Sequence, residues 1–164
     1  MEIKESLGCV AIVCDSKSKS PLLSFILHMI GAIAHGNTVV IVPDETYPVL
    51  ALDLYEVLET SDVPDGVCNI LTGNRYHLTK YLVEHQQVSA LWYLNESNEL
   101  TGDELAMQQF VRFTSGFSLK QSWLVNIPLP VNENTVDRAY LYEMQKQSSQ
   151  FKYVHIPMGV IFAN

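Results

Sequence analysis

His35-Gly36-Asn37-Thr38-Val39-Val40-Ile41-Val42-Pro43-Asp44-Glu45 reads as a turn, a short buried strand, and a loop that feeds a helix. Gly36 and Asn37 suit a turn because both tolerate positive φ, and an Asn side chain can bond its own backbone. Thr38 to Val42 is β-branched without a polar break, as a strand covered on both faces requires. Pro43 lacks the amide that would continue a ladder, so the strand ends there. Asp44 and Glu45 then fall in the loop at the strand's carboxyl end, where open parallel sheets bind their ligands.

The same rhythm extends in both directions. Leu7 to Cys14 is an apolar strand, and Pro21 suits the first turn of a helix running to about Ala34. The nearly all-round apolar surface of that helix predicts burial between layers. Downstream, Thr46 is placed to cap a helix to about Glu59, with Leu50, Leu54, Val57 and Leu58 as its inward stripe. Ser61 to Gly66 is a turn, Val67 to Leu71 a third strand, and Asn74 caps a short helix with Leu78, Tyr81 and Leu82 inward. Ser89 to Tyr93 is a fourth strand. After the polar run Asn95 to Gly102 comes a helix with Met107, Phe110 and Val111 on one side, then a weaker strand from Lys120 to Val125. Strand and helix alternating through short connections demand parallel pairing. The expected fold is therefore α/β, an open and mostly parallel Rossmann-like sheet of about five strands with helices on both faces. From Ile127 the texture changes: Pro128-Leu129-Pro130 breaks the rhythm, Ala139 to Gln147 suits a helix, and Phe151 to Ile156 a last strand. Residues 1–126 thus form one α/β domain and residues 127–164 a tail.

The composition limits what the chain can do. Its 164 residues are 48% hydrophobic and 17% charged, enough for one packed core. A formal charge of -8 argues against nucleic acid or an anionic membrane as partner, since both recruit clustered Lys and Arg. The charged start, Met1 to Ser6, is no signal peptide, and the apolar run from Leu22 to Ala34 is too short to cross a bilayer. Three cysteines, an odd number, fit free thiols and a cytoplasmic setting.

Two stretches carry a family likeness. Gly36 to Pro48, with Gly-Asn-Thr-Val-Val followed by Pro43-Asp44-Glu45 and Pro48, resembles the segment after the first crossover helix of the aldehyde dehydrogenase superfamily. Val63-Pro64-Asp65-Gly66-Val67-Cys68-Asn69-Ile70-Leu71-Thr72-Gly73 is similar to that family's Leu-Pro-Pro-Gly-Val-Leu-Asn-Val-Val-Thr-Gly, at the right distance. Gly8 to Val13 and Pro21-Leu22-Leu23 match what precedes them, so the likeness covers roughly residues 7–126. It implies the NAD-binding half of an NAD-dependent aldehyde oxidoreductase. Within the family, Ser61 to Val67, His85 to Val88, Trp92-Tyr93 and His155 to Gly159 resemble the degenerate C-terminal module of aldehyde dehydrogenase family 16. That resemblance implies that Met1 lies inside a longer polypeptide.

The departures bear on chemistry. In the family, a Lys at the position of Val42 and a Glu at that of Glu45 hold the adenosine ribose of NAD; here only Glu45 remains. The family's Phe-Thr-Gly-Ser-Thr-Glu-Val-Gly lets amides approach the pyrophosphate, whereas this chain has Trp92-Tyr93-Leu94-Asn95-Glu96-Ser97-Asn98-Glu99. Its glycines are gone, and Glu96 and Glu99 would repel a dianion by on the order of a few kcal/mol each at an effective dielectric near 20. The Asn-bearing Pro-Trp-Asn-Phe-Pro is replaced by Cys14 to Pro21, and the general-base Glu has no counterpart in Ser122 to Asn126. Nucleophile, oxyanion donor and base are all needed for the family reaction, and none has a matching residue.

The expectation is a non-catalytic pseudoenzyme module with no catalytic residues, no metal, and Glu45 as the one cofactor-position residue. Glu45 reads either as a ribose ligand or as a solvated loop carboxylate. Cys14 sits where a nucleophile could, yet no base accompanies it. Cys9 and Cys14 fall on opposite strand faces, and Cys68 is core. The five histidines show no ligand spacing. Lys17 and Lys19 flank a helix start and read as an anion contact or a solvated loop. Trp92, Tyr93, Trp123 and Phe113 to Phe117 read as core, or as the surface a missing catalytic half would cover. NAD enters by family resemblance only. The implied partner is an aldehyde dehydrogenase catalytic module or a second copy of the chain. The alternatives are a part of an NAD-dependent aldehyde dehydrogenase whose catalytic residues lie elsewhere, and a nucleotide-sensing regulatory domain using Glu45 and the Lys17/Lys19 loop.

Overall fold

The elements run β1 (Glu2–Ser6), β2 (Cys9–Val13), α1 (Pro21–Ile33), β3 (Thr38–Val42), α2 (Pro48–Thr60), β4 (Cys68–Ile70), α3 (Arg75–Glu84) and β5 (Ala90–Leu94). They continue with α4 (Gly102–Phe117), β6 (Gln121–Val125), β7 (Val131–Asn132), β8 (Thr135–Val136), α5 (Arg138–Gln147) and β9 (Ser149–Tyr153). The computed structural model describes residues 2–97, 101–132 and 135–155.

Five strands pair in the order β4-β3-β2-β5-β6, and every pairing is parallel. The register sets Val13 beside both Val42 and Tyr93, so β2, β3 and β5 end level. Period-two alternation sorts their side chains into two cores. Val10, Ile12, Val39, Ile41, Trp92 and Leu94 pack with Phe25 and Met29 of α1, Ala51 of α2, and Tyr140 and Met144 of α5. Ala11, Val13, Val42, Leu91 and Tyr93 face Leu82 and Val83 of α3 and Met107 and Val111 of α4. Helices therefore cover both faces, as the sequence pattern requires. Cys14 and Cys9 fall on opposite sides of the sheet, and Cys68 lies in the first core.

Several local expectations are corrected. α1 is not buried all round: one side meets the sheet and α5 covers a second strip at Gly31, while Leu22, Leu23 and Ile30 are exposed, with no described element over them. On α2, Leu50 and Val57 are exposed, so the stripe is narrower than expected: the helix rests on the buried Ala51 together with the partly buried Leu54 and Leu58. Its N-cap is Tyr47, not Thr46, since Pro48 sets the first helical residue. On α3, Tyr81 points to solvent while Arg75, Thr79, Leu82 and Val83 point in. Trp92 and Tyr93 are fully buried and so are core, not a contact surface, whereas Phe113 and Phe117 are exposed.

Asn37 also behaves differently from a turn residue bonding itself. Gly36 takes the positive φ, 81°. The buried Asn37 side chain accepts from Leu7 N and Gly8 N and donates to Ala32 O and Ser148 O. It thereby ties the entry to β2, the end of α1, and the junction of α5 with β9. The last strand begins at Ser149, earlier than expected, and pairs antiparallel with β1, whose alternating charged sequence gave no strand signal. Ile156 to Gly159, Met1, Asn98 and Glu99 lie outside the described residues. Among the described residues no helix is long and apolar enough to cross a membrane.

Candidate functional site

β2 is followed by α1 and β3 on one side of it, while β5 and β6 lie on the other. The loops leaving β2 and β5 therefore diverge, and the gap between them is the topological switch point where such sheets hold ligands. Here that end of the sheet is filled by the protein's own polar side chains.

Arg75, the first residue of α3, is 2% exposed. Its Nη1 lies 2.5 Å from Glu104 Oε1 and 3.8 Å from Asp15 Oδ1. Nη2 donates to the Leu94 carbonyl, and the guanidinium lies 4.3 Å from the centre of the Tyr93 ring. Glu104 sits in the first turn of α4, where Thr101 caps the helix and the N-terminal dipole favours a carboxylate. It accepts hydroxyl protons from Tyr76 and Tyr93, each at 2.8 Å. Burial, with the hydrogen bond to Glu104, pushes the Tyr76 phenol up to about 12. Burial raises Tyr93 further, so both remain donors. Asp15 closes the network by accepting from Lys17 N at 3.1 Å and Glu96 N at 2.8 Å.

Two further carboxylates crowd the same end. Asp44 is 6% exposed and turns its own loop by accepting from Thr46 N at 2.7 Å. Glu96 is 8% exposed and accepts from Ser18 Oγ at 2.6 Å. Glu96 Oε1, Asn95 Nδ2 and Arg75 Nε have no hydrogen-bond partner among the described residues. Cys14 lies amid this charge. Burial, then Glu96, hold its thiol far above the ordinary range, with Arg75 the one opposing influence. Its surroundings therefore favour the neutral thiol over the thiolate.

Glu45 is the one ribose-position residue read from the sequence. Its side chain is exposed, but Oε1 accepts the backbone amide of Arg75. It therefore supports the start of α3 together with Asn74, which accepts from His77 N at 3.0 Å. Lys17 donates its amide to Asp15, and Lys19 borders a small cleft with Ser20, Glu96 and Leu129, away from the Glu45 contact with α3. No group of three or more His, Cys, Asp or Glu is placed to hold a metal among the described residues.

A pyrophosphate brought to the ends of β2 and β5 would need free amides and cations. It would meet Asp15, Asp44, Glu96 and Glu104, while the buried cation, Arg75, is already engaged on Glu104, the Leu94 carbonyl and the Tyr93 ring. The residues present do not fit such a group. Arg75 and Glu104 were missed from sequence because they lie 29 residues apart on two helices and belong to no motif.

The architecture defines an open α/β domain of the dinucleotide-fold type. The aldehyde dehydrogenase family model matches residues 2–99, more than half of the sequence, and the chain belongs to that family. It is 27% identical over 124 residues to the NADP/NAD-dependent aldehyde dehydrogenase PuuC of Escherichia coli (strain K12), covering 76% of this chain and 23% of that protein. It is 37% identical over 88 residues to 3-sulfolactaldehyde dehydrogenase of Priestia aryabhattai, covering 53% of this chain and 18% of that one. Among solved structures, PnpE from Pseudomonas sp. WBC-3 superposes with a TM-score of 0.62 at 29% identity, covering 75% of this chain and 23% of that one. The chain thus spans less than a quarter of the length of these relatives.

Proposed function

We propose that this chain is a non-catalytic aldehyde dehydrogenase module that acts by packing within, or onto, a larger aldehyde dehydrogenase polypeptide. The observation that carries this reading is the Arg75–Glu104–Asp15 network, which occupies the switch point with internal ion pairs and leaves four carboxylates facing any incoming phosphate. Retained packing beside lost binding chemistry is the pattern of a scaffold. Within the family, the degenerate C-terminal module of family 16 is the branch that the Val63 to Val67 and Trp92-Tyr93 stretches support. The partner is a catalytic module or a second copy of the chain. The exposed Val49, Leu52 and Tyr55 of α2 and Phe113 and Phe117 of α4 supply apolar surface for it.

Isothermal calorimetry with NAD and NADP tests the cofactor side. No heat beyond dilution at millimolar nucleotide is expected, and a micromolar affinity overturns the reading. In parallel, added aldehyde and NAD should give a flat trace at the NADH absorbance. The family's membership favours a second reading for the parent molecule, in which oxidation of an aldehyde is carried by residues outside this chain. A thermal shift with adenosine nucleotides, without turnover, would instead favour a nucleotide sensor.

A further inference from the structure

A ligand-sized cleft away from the switch point lies at the edge strand β6. Its volume is about 400 Å³, within the usual range for small-molecule sites. One wall is the consecutive run Trp123 to Ile127; the other comprises Pro130, Asp137, Ala139, Tyr140 and Glu143. Among the described residues β6 pairs only with β5, which leaves its outer edge without a partner strand there.

We propose that this cleft binds an organic cation, a primary ammonium group carried on an apolar or aromatic body. Three observations converge on that chemistry. The two charged residues that line the cleft, Asp137 and Glu143, are both carboxylates, and no Lys, Arg or His lines it. Trp123 and Tyr140 stand in the wall with ring centres 5.8 Å apart, and electron-rich ring faces attract cations. Both rings are held in place. Trp123 packs edge-on against the buried Trp92 at 5.1 Å, and the Tyr140 hydroxyl donates to His28 Nε2 at 2.7 Å. Asn126 is not free to offer a competing donor, because its amide group is paired with that of Gln108. The acceptors are therefore the carboxylates, and an ammonium is a donor-only group that suits them. Asp137 has one oxygen on Ala139 N. Glu143 accepts from Gln147 Nε2 at 2.8 Å and faces the exposed Lys146 Nζ at 3.9 Å, a weak surface pair that an ammonium in the cleft would exchange for itself. Leu124, Val125, Ile127 and Pro130 supply the apolar wall for its body.

Tryptophan fluorescence reads this site directly. The chain has two tryptophans, and Trp92 is fully buried, so a ligand in the cleft acts on Trp123. The probe is 2-phenylethylamine, with 2-phenylethanol and 3-phenylpropionate as neutral and anionic counterparts. Saturable quenching by the amine, weakened by salt and absent with the two counterparts at matched concentration, is the expected result. The double variant Asp137→Asn/Glu143→Gln should weaken amine binding about fivefold, the scale of partly exposed charge pairs. Asn replaces Asp well as a helix N-cap, so the cap that Asp137 provides to Ala139 N is kept, and a matching thermal melt verifies the fold. Absence of saturable quenching at millimolar amine, equal binding of 2-phenylethanol, or unchanged affinity in a folded double variant overturns the proposal. None of these outcomes depends on whether NAD binds at the other site.

Discussion

Arg75 organises the ends of β2 and β5 through a single side chain. Its guanidinium neutralises the region between Asp15 and Glu104 from inside the protein, and Tyr76 and Tyr93 complete the Glu104 shell. Removing the cation while leaving the carboxylates strands them in a water-poor interior. Arg75→Met should therefore lower unfolding stability by about 3–5 kcal/mol, read from the urea midpoint at constant slope. A loss under about 1 kcal/mol would mean that the carboxylates are solvated and the network is not what fills the switch point. His28 gives the second prediction at this scale. It is fully buried, donates from Nδ1 to the Ser24 carbonyl at 2.7 Å, and accepts from Tyr140 at Nε2. Burial lowers its pKa from 6.5 to about 4, so the folded protein holds it neutral. Above pH 6.5 both states are neutral and nothing is lost. Below that, the unfolded chain takes up a proton that the folded one refuses, and stability declines until about pH 4. Between pH 6.5 and about 5 the wild type should lose about 2 kcal/mol more than His28→Gln. Equal slopes would place His28 in a wetter environment than the structure gives it. Neither residue was legible beforehand. Arg75 follows an N-cap and looks like a surface residue of a polar helix, while the partner of His28 is 112 positions away. Glu45 was singled out for its family position, but its oxygen serves α3.

The strands of the sheet, by contrast, were readable because each carries its own signal. Thr38–Val42 is predicted with its observed bounds, and Cys9–Val13, Cys68–Ile70, Ala90–Leu94 and Gln121–Val125 lie within a residue or two of the expected ends. A strand buried on both faces has no choice but to be apolar. Helices were read less well at the level of faces. α1 and α2 are apolar beyond what the sheet requires, so periodicity overstated their burial; the surplus is the exposed set that includes Leu23, Ile30, Val49 and Leu52. Besides the hydrogen bond of Tyr140 to His28, a small-residue contact holds α5 onto α1. Gly31 lies against Met144, and a Cβ built on Gly31 would stand 2.6 Å from Met144 Cε and 2.7 Å from its Sδ. Gly31→Val should cost about 1 kcal/mol, because the atoms in its way are the flexible end of Met144, which must turn aside from a packed site, and losing a helix glycine offsets part of that cost. Met144→Ala vacates the same space, so the double variant should be less destabilised than the sum of the singles. Additive losses in that cycle would show that the two helices do not meet at this point.

At the scale of the whole molecule, the two ends of the described chain depend on each other. β1 and β9 pair in register from Glu2 with Tyr153 to Ser6 with Ser149, and among the described residues they join no other strand. A two-stranded ribbon is marginal alone. This one carries mostly exposed residues, with a surface ion pair of Lys152 with Glu5 at 3.0 Å that contributes little. Its anchor lies at the base, where Ser148 O accepts from Asn37 and Ser148 Oγ donates to the Met144 carbonyl at 2.7 Å. The expected order of opening follows from that difference. The ribbon should exchange its amides fastest, α5 next, and the β2–β5 centre, where Val10 to Val13 and Ala90 to Leu94 are fully buried, only on global unfolding. Deleting residues 2–6 should therefore abolish hydrogen-exchange protection in 149–153 while leaving the central strands protected as before. Joint loss of protection in the central strands would instead mean that the ribbon and the sheet unfold as one unit, with the bonds of Asn37 coupling them more tightly than the exposed ribbon suggests.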